Sequence, residues 1–310
     1  MLVQVERRHQ YVPGGVRCVP SMSSANALPS SPHGRWRTML SYINPVLPLR
    51  DCWRHRALIG QLVRREIEGR YRGSLLGVLW ALLHPLVLLL VYTFVFGVVF
   101  RMRWPQAAGD DLSGFALVLM CGLLAYNLLS ECLTRAPSAV IAVPNYVKKV
   151  IFPLQVLPIT VLGTGLFHAG VGLVLLIVAG AVIRHSVPWT VVLVPVVALP
   201  LVLLLLGATW FLSSLGVFVR DVGYVVNLVC QVLLFTTPVF YPLAALPAAY
   251  RPLVTANPLT GVVEDLRRTV LWGEVPDWSQ LVTRTAVATA IMAAGYAWFM
   301  TTRRGFADVL

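Results

Sequence analysis

The chain has 310 residues, of which 57% are hydrophobic and only 12% are charged. Soluble domains are about a quarter charged, so this composition excludes an ordinary soluble globular protein. A formal charge of +12 would fit nucleic acid binding if the basic residues formed one patch, but they lie between long apolar runs. We therefore assign the charge to membrane topology and expect no nucleic acid partner.

The first 50 residues are rich in Pro, Ser, Gly and Arg and have no apolar period. Such a composition cannot bury enough apolar surface to fold, so a disordered N-terminal extension is predicted over residues 1–50. The segment also lacks the apolar h-region of a secretory signal. The remaining residues, 51–310, are predicted to form one membrane domain.

An amphipathic helix is predicted over residues 54–72. Apolar side chains recur there at intervals of three and four residues from Leu58 to Tyr71, and the other face carries basic residues that include Arg64 and Arg65. Helices of this kind lie in the headgroup layer and are attracted to anionic lipid. The basic face is equally suited to docking a partner protein, and the two interpretations are compatible.

Six runs without Asp, Glu, Lys or Arg can each hold a membrane crossing. The hydrocarbon core is about 30 Å thick and needs about 20 apolar residues. Strand edges and loops cannot face lipid, so the crossings should be helices. The predicted fold class is an all-α integral membrane protein, with six transmembrane helices per protomer over residues 74–100, 112–133, 151–182, 191–219, 222–241 and 281–300.

The distribution of basic residues predicts the orientation. If the N-terminus lies inside, the inner segments carry 18 Lys and Arg and the outer segments carry six. Because basic residues concentrate in cytoplasmic loops, both termini are predicted to be cytoplasmic.

Small residues in two of the predicted spans indicate faces where helices approach closely. In the third span these are Gly163, Gly165, Gly170 and Gly172. In the last span they are Ala286, Ala290 and Ala294.

Residues 243–273 are too polar to cross the membrane but contain two fairly apolar stretches. Two short helices that dip into the outer interface and break at Asn257-Pro258 would fit this pattern. Re-entrant backbone of this kind is tolerated only where protein or water satisfies its polar groups. The densest polar group of the segment runs from Glu264 to Arg268, where it could cap and solvate a short helix.

Aromatic residues concentrate toward the outer ends of the first and fifth predicted spans. Two interpretations stay open. The rings could form the aromatic belt found at membrane interfaces, or they could line the exit of a conduit, where flat rings pack against the C–H faces of sugars. The aromatic residues are Tyr92, Phe94, Phe96, Phe100, Trp104, Phe235, Phe240 and Tyr241. Those predicted to line the exit are Tyr92, Phe96, Phe100, Phe235, Phe240 and Tyr241.

No motif for catalysis or for nucleotide or metal binding is present. The only two lysines, Lys148 and Lys149, follow no glycine, so a GxxxxGK[ST] phosphate loop is absent. We expect no catalytic residue and no metal site; His84 and His168 are predicted to be packed or to contact water. The span cores contain no Asp, Glu, Lys or Arg, and Glu131 lies only near the inner end of the second. This argues against an ion-coupled transporter, so the energy source should be a separate ATPase.

Five sequence segments, taken in order, resemble the type-2 ABC permeases that export polysaccharides such as O-antigen, teichoic acid and capsule. The resemblance extends from about residue 54 to residue 304 and is greatest for O-antigen permeases. The segments are RREIEGRYRGSLLGVLWALLHPLVLLLVYTFVFGVVF (64–100), NYVKKVIFP (145–153), FVRDVGY (218–224), TTPVFYP (236–242) and NPLTGVVEDLRRTVLWG (257–273).

The resemblance implies a homodimer in the bacterial inner membrane that works with two copies of a nucleotide-binding ATPase. ATP would be bound by that ATPase, and this chain would need no cofactor. The first and fifth spans would line a channel for a lipid-linked glycan, and membrane lipids would surround it. Segment 54–72 would be an interface helix. ATPase coupling would involve Arg64, Arg65, Pro144, Asn145, Lys148 and Lys149. The outer gate would include Asn257, Pro258, Glu264 and Arg267.

Three alternatives stay open from the sequence. One is a type-2 permease for drugs or small lipids, which would share the spans. Another is an integral membrane enzyme that modifies glycans, although only the Glu264–Arg268 region offers a dense polar cluster. The last is a membrane scaffold without transport.

Overall fold

The computed structural model describes residues 44–102, 104, 112–148 and 152–310, and within these residues it is entirely helical, without strands. Twelve α-helices, here numbered in chain order, occur in the described ranges. They are α1 Val46–Arg54, α2 Arg56–Tyr71, α3 Trp80–Tyr92, α4 Leu112–Arg135, α5 Pro144–Lys148, α6 Val156–Arg184, α7 Val194–Phe218, α8 Val222–Thr236, α9 Arg251–Thr255, α10 Pro258–Arg267, α11 Trp278–Thr302 and α12 Phe306–Val309.

Four helical stretches in the described residues are long and apolar enough to cross a membrane: Gly77–Val99, Leu112–Ser138, Val156–Arg184 and Trp189–Phe218. They coincide with the first four predicted spans. The first begins with a 3-10 turn and ends in a π-helical segment, Thr93–Val99. It contains Pro85, where the sequence predicts a kink because proline removes a backbone hydrogen bond.

The predicted C-terminal end of the fifth span, residues 222–241, is wrong, because the helix ends before residue 241. Helix α8 has only 15 residues and stops at Thr236. Thr237 is extended because the ring of Pro238 disfavours helical geometry in the residue before it. The chain then turns inward, and Val239 and Phe240 are buried. Helix α11 has 25 residues, which is long enough to cross, but it is not among the four most apolar stretches.

The closest helix pair in the core is α7 with α11. A Cβ atom added to Gly207 would lie 2.6 Å from the carbonyl oxygen of Ile291, and one added to Gly295 would lie 2.2 Å from that of Gly207. The two backbones therefore touch. This contact turns the Gly295 face of α11 inward. The predicted packing stripe of Ala286, Ala290 and Ala294 is consequently exposed in the protomer, which corrects that prediction.

Helix α2 covers residues 56–71 of the segment that the sequence predicts to be amphipathic. Its apolar side chains are half-buried against α6, where Val63 fills the space above Gly163. Helix α1 lies before it, so residues 46–50 are helical rather than part of a disordered extension. The remainder of that predicted extension, residues 1–43, lies outside the described residues. Asp51 of α1 accepts a 2.6 Å hydrogen bond from Tyr296 of α11.

Candidate functional site

Five of the six predicted exit aromatics form one cluster near the C-terminal ends of the first span and α8. Phe240 is its centre: its ring centroid lies 4.3 Å from that of Phe96, 5.2 Å from Tyr92 and 6.0 Å from Phe235. Phe100 joins through Phe96 at 5.8 Å. The structure thus brings together residues that are more than 130 positions apart in the sequence.

The cluster has a buried centre and an exposed edge. Phe240 is only 2% exposed, whereas Phe100 and Phe235 are each 63% exposed. Tyr241, the sixth predicted residue, donates a 2.9 Å hydrogen bond from its hydroxyl to the carbonyl of Phe235. The buried ring of Phe240 therefore belongs to the same cluster as the exposed rings of Phe100 and Phe235, which can contact lipid, a partner or a substrate.

The two short helices α9 and α10, which we call the outer helix pair after their predicted position, are separate helices on either side of Asn257. The Asn257 side chain caps α10 by accepting from the Leu259 amide at 3.0 Å, and it donates to the Thr237 hydroxyl at 2.9 Å. Pro258 occupies the first position of α10, where its missing N–H is not needed. The cap therefore joins the helix pair to the turn that follows α8.

Arg267 at the end of α10 is fully buried. It donates to the Glu264 carboxylate at 2.8 Å and to the Val239 carbonyl at 3.0 Å, and its guanidinium lies 4.3 Å from the centre of the Trp104 ring. The structure gives this residue an anchoring position rather than an exposed one. Through Val239, it connects the helix pair to the neighbour of Phe240 in the aromatic cluster.

The predicted coupling residues lie on two elements at the opposite end of the protomer. Arg64 and Arg65 are exposed on α2, and Pro144 and Asn145 are exposed at the start of α5. Between these helices lies a cavity of about 340 Å³ that Arg65 lines on one side and Tyr146 on the other. The Lys148 backbone ends α5, and Lys149 lies outside the described residues.

A second polar group, which we call the inner polar cluster, was missed by the sequence reasoning. It consists of Glu66, Arg70 and Tyr71 from α2, Glu131 and Arg135 from α4, and His168 from α6. Glu131 receives a 2.6 Å bond from Arg70 and lies 2.8 Å from Nδ1 of His168. The other imidazole nitrogen, Nε2, lies 2.9 Å from the Tyr71 hydroxyl.

Arg135 completes the inner polar cluster by pairing with Glu66 and by lying 3.4 Å from Glu131. Three elements distant in sequence are therefore joined by charge. The sequence contains one sign of this cluster, because an ionisable residue within a span is expected to pair with another polar group. Glu131 and His168 met that description, but nothing in the spacing paired them. Burial also raises the pKa of the Tyr71 phenol.

The described residues contain no group of three or more His, Cys, Asp or Glu side chains that could hold a metal ion. Within the same residues, Cys52, Cys121, Cys132 and Cys230 are free thiols. The arrangement is therefore one of apolar helices, a flat aromatic surface at one end and a charged surface at the other.

These features define an integral membrane protein of the permease class. The chain belongs to the ABC-2 type transporter family, whose model matches residues 57–271. The family predicted from the sequence segments is thereby confirmed.

Relatives of known name cover most of the chain. It is 32% identical to the O-antigen export system permease protein RfbA of Myxococcus xanthus. The 262 aligned residues cover 84% of this chain and 98% of the relative. It is 25% identical to an RfbA of Klebsiella pneumoniae, over 82% of this chain and 95% of the relative. The polysialic acid transport protein KpsM of Escherichia coli is 24% identical, over 72% and 84%. Each of these is a transport component, and the expectation of a permease subunit rather than an enzyme is confirmed.

Proposed function

We propose that this chain is the transmembrane subunit of an ATP-driven exporter that moves a lipid-linked, O-antigen-like polysaccharide across the bacterial inner membrane. The observation that carries the proposal is the match along nearly the whole length of an O-antigen export permease. The outer aromatic cluster supports it, because flat exposed rings suit the C–H faces of sugars.

In this proposal the chain crosses the membrane six times, with both termini in the cytoplasm. The four long apolar helices supply four crossings, and α8 and α11 supply the others. A helix of 15 residues is about 22 Å long, so α8 would need the turn after it and the outer helix pair to complete its crossing. The excess of basic residues on the inner side supports the orientation.

A homodimer is supported by an unpartnered face of α8. This face is apolar and exposed in the protomer, with Tyr224, Val225, Leu228, Val232 and Phe235 all more than half exposed. Large exposed apolar surfaces mark lipid or protein contacts. Two protomers meeting along α8 and the first span would enclose a path with the exposed rings of Phe100 and Phe235 at its outer end.

The energy would come from two copies of a nucleotide-binding ATPase docked on the cytoplasmic face. The basic side of α2 and the helix α5 lie on either side of one cavity, so a single partner surface can contact both. ATP would bind to the partner and shift the transporter only through its different affinity for the two states. The inner polar cluster would transmit the movement, because it ties α2 to α4 and α6.

The proposal is tested by expressing the chain with the ATPase encoded beside it and tagging only this chain. Equimolar elution of the ATPase, with ATPase activity, would establish the exporter class. Deleting the chain should then cause a lipid-linked glycan to accumulate inside the cell. Accumulation of a small lipid or drug instead would favour the smaller-substrate permease, and a chain that purifies alone would remove the energy source.

Replacing Phe100 or Phe235 with leucine is expected to reduce glycan export by about threefold to tenfold, which corresponds to about 0.5–1.5 kcal/mol for one lost aromatic contact. Leucine keeps the surface apolar but removes the flat ring. Export is measured as glycan reaching the outer face. Phe94→Leu is the matched control, because Phe94 lies shortly before Phe100 in the π-helical segment Thr93–Val99 and is 56% exposed. Equal effects at the cluster and control positions would support a simple interfacial belt.

Replacing Lys148 and Lys149 together with glutamate is expected to lower transport-coupled ATPase activity at least tenfold. The change puts two negative charges where two positive charges are proposed to contact the ATPase, and such a reversal weakens an interface. Insertion into the membrane should be unchanged. Arg304→Glu provides a control at an exposed basic residue in the turn after α11, which belongs to neither docking element. Normal coupling in the double lysine variant would show that the ATPase docks elsewhere.

A further inference from the structure

A cavity of about 570 Å³ lies between α2, α3, α4 and α6. That volume is typical of small-molecule sites. The cavity is distinct from the aromatic cluster, whose rings do not line it. Its walls belong to the interface helix and the first three spans, and it opens to the outside of the protomer.

The cavity has one polar end and one apolar end. The inner polar cluster contributes Arg70, Tyr71, Glu131 and His168 to the first. Leu88, Met120, Leu124 and Gly172 line the second, each further along its helix toward the outer side of the proposed topology. From Glu131 to Met120 the distance along α4 is about 16 Å. This is about half of the 30 Å hydrocarbon core, and therefore about the depth of one membrane leaflet.

Arg70 offers a donor edge to a ligand in this cavity. Its bonds to Glu131 and His168 all use Nη1, and the side chain is 41% exposed. In the described residues, neither Nε nor Nη2 of Arg70 bonds to Glu131 or His168. Guanidinium groups bind phosphate through two parallel hydrogen bonds, and basic pockets between helices on the cytoplasmic side bind anionic lipid headgroups.

We propose that this cavity binds one inner-leaflet phospholipid with an anionic headgroup, whose phosphate contacts Arg70 and whose acyl chain lies along Leu88, Met120 and Leu124. Zwitterionic lipids bind less well, because their own cationic group competes with Arg70 for the phosphate. A bound lipid fills the space between the interface helix and the spans, so it stabilises their relative position. The site takes a lipid of the bilayer itself and is separate from the path proposed for the glycan.

The test uses the full-length chain, purified and stripped of lipid in detergent, then mixed with phosphatidylglycerol or phosphatidylcholine and measured by native mass spectrometry. One phosphatidylglycerol per protomer is expected to remain bound, about tenfold more than phosphatidylcholine, because the cationic choline group of phosphatidylcholine already offsets the charge of its phosphate. Arg70→Gln should reduce phosphatidylglycerol to the phosphatidylcholine level. Arg72→Gln, an exposed arginine that does not line the cavity, should leave it unchanged.

A second variant covers the case in which Arg70→Gln does not fold. Ala169→Leu adds bulk to the cavity wall while keeping every charge, and it should also reduce the bound phosphatidylglycerol. Equal retention of the two lipids, or equal losses in the Arg70 and Arg72 variants, would overturn the proposal. So would displacement of phosphatidylglycerol by an equal concentration of polyprenyl phosphate, since the cavity would then be a site for a carrier lipid.

Discussion

Replacing Arg267 with alanine is expected to lower the free energy of unfolding by about 3 kcal/mol, because the change leaves the partly exposed Glu264 carboxylate and the buried Val239 carbonyl without their donor. Glu264 and Val239 would lose their bonds, and Trp104 would lose its cation–π contact. The cap-bearing helix α10 would then loosen from the turn after α8. Thermal unfolding of the purified protein, followed by size-exclusion chromatography, measures the effect as a lower midpoint.

Two variants separate the buried interaction from the charge alone. Arg268→Ala removes the neighbouring arginine, which is 41% exposed and pairs with Glu274 at 3.0 Å; such surface pairs contribute about 0–1 kcal/mol. Arg267→Lys keeps the charge but cannot reach several acceptors at once, so only part of the loss should be recovered. An Arg267→Ala protein as stable as Arg268→Ala would contradict the anchoring position.

Replacing Gly295 with valine is expected to destabilise the protein strongly, by about 3 kcal/mol, the upper end of the usual cost of overpacking. The added Cβ would meet the Gly207 backbone at 2.2 Å, and backbone atoms cannot rotate away as a side chain can. Helices α7 and α11 would have to separate along the core. The expected readout is a large fall in folded protein recovered from membranes and in its thermal midpoint.

Gly170→Val is the matched control for this prediction. Gly170 also lies in a long apolar helix, α6, but a Cβ added there would meet nothing within 4 Å. Its replacement should change stability by less than about 1 kcal/mol, since valine and glycine differ little in helix propensity. Equal losses at Gly170 and Gly295 would mean that the α7–α11 contact is not the cause.

Much of the helical layout could be predicted because a bilayer allows few alternatives. Long uncharged runs must be helices in lipid, and the first four predicted spans match four long apolar helices. The amphipathic segment around Arg64 and the break at Asn257 also follow from local sequence. These features depend on periodicity, capping and length, which are properties of neighbouring residues.

The errors and omissions depend instead on contacts between residues that are distant in sequence, since these contacts decide which face of a helix is buried. The alanine stripe of α11 is a plausible packing face, but the Gly207–Gly295 contact turns another face inward. Likewise, Arg267 looks like a surface residue in its polar segment until Val239 and Trp104 enclose it. Of the four glycines predicted to pack in α6, Gly163, Gly165 and Gly172 have neighbours close to the added Cβ, but Gly170 has none.

The short length of α8 has a consequence for the bilayer around it. Its 15 residues extend about 22 Å, which is about 8 Å less than the hydrocarbon thickness. Such hydrophobic mismatch is relieved when lipids thin locally or when other parts of the protein replace them. A thinner apolar layer beside α8 shortens the distance over which a hydrated polymer must give up bulk water. If α8 crosses the membrane as proposed, the barrier to the polymer would therefore be lowest beside this short helix.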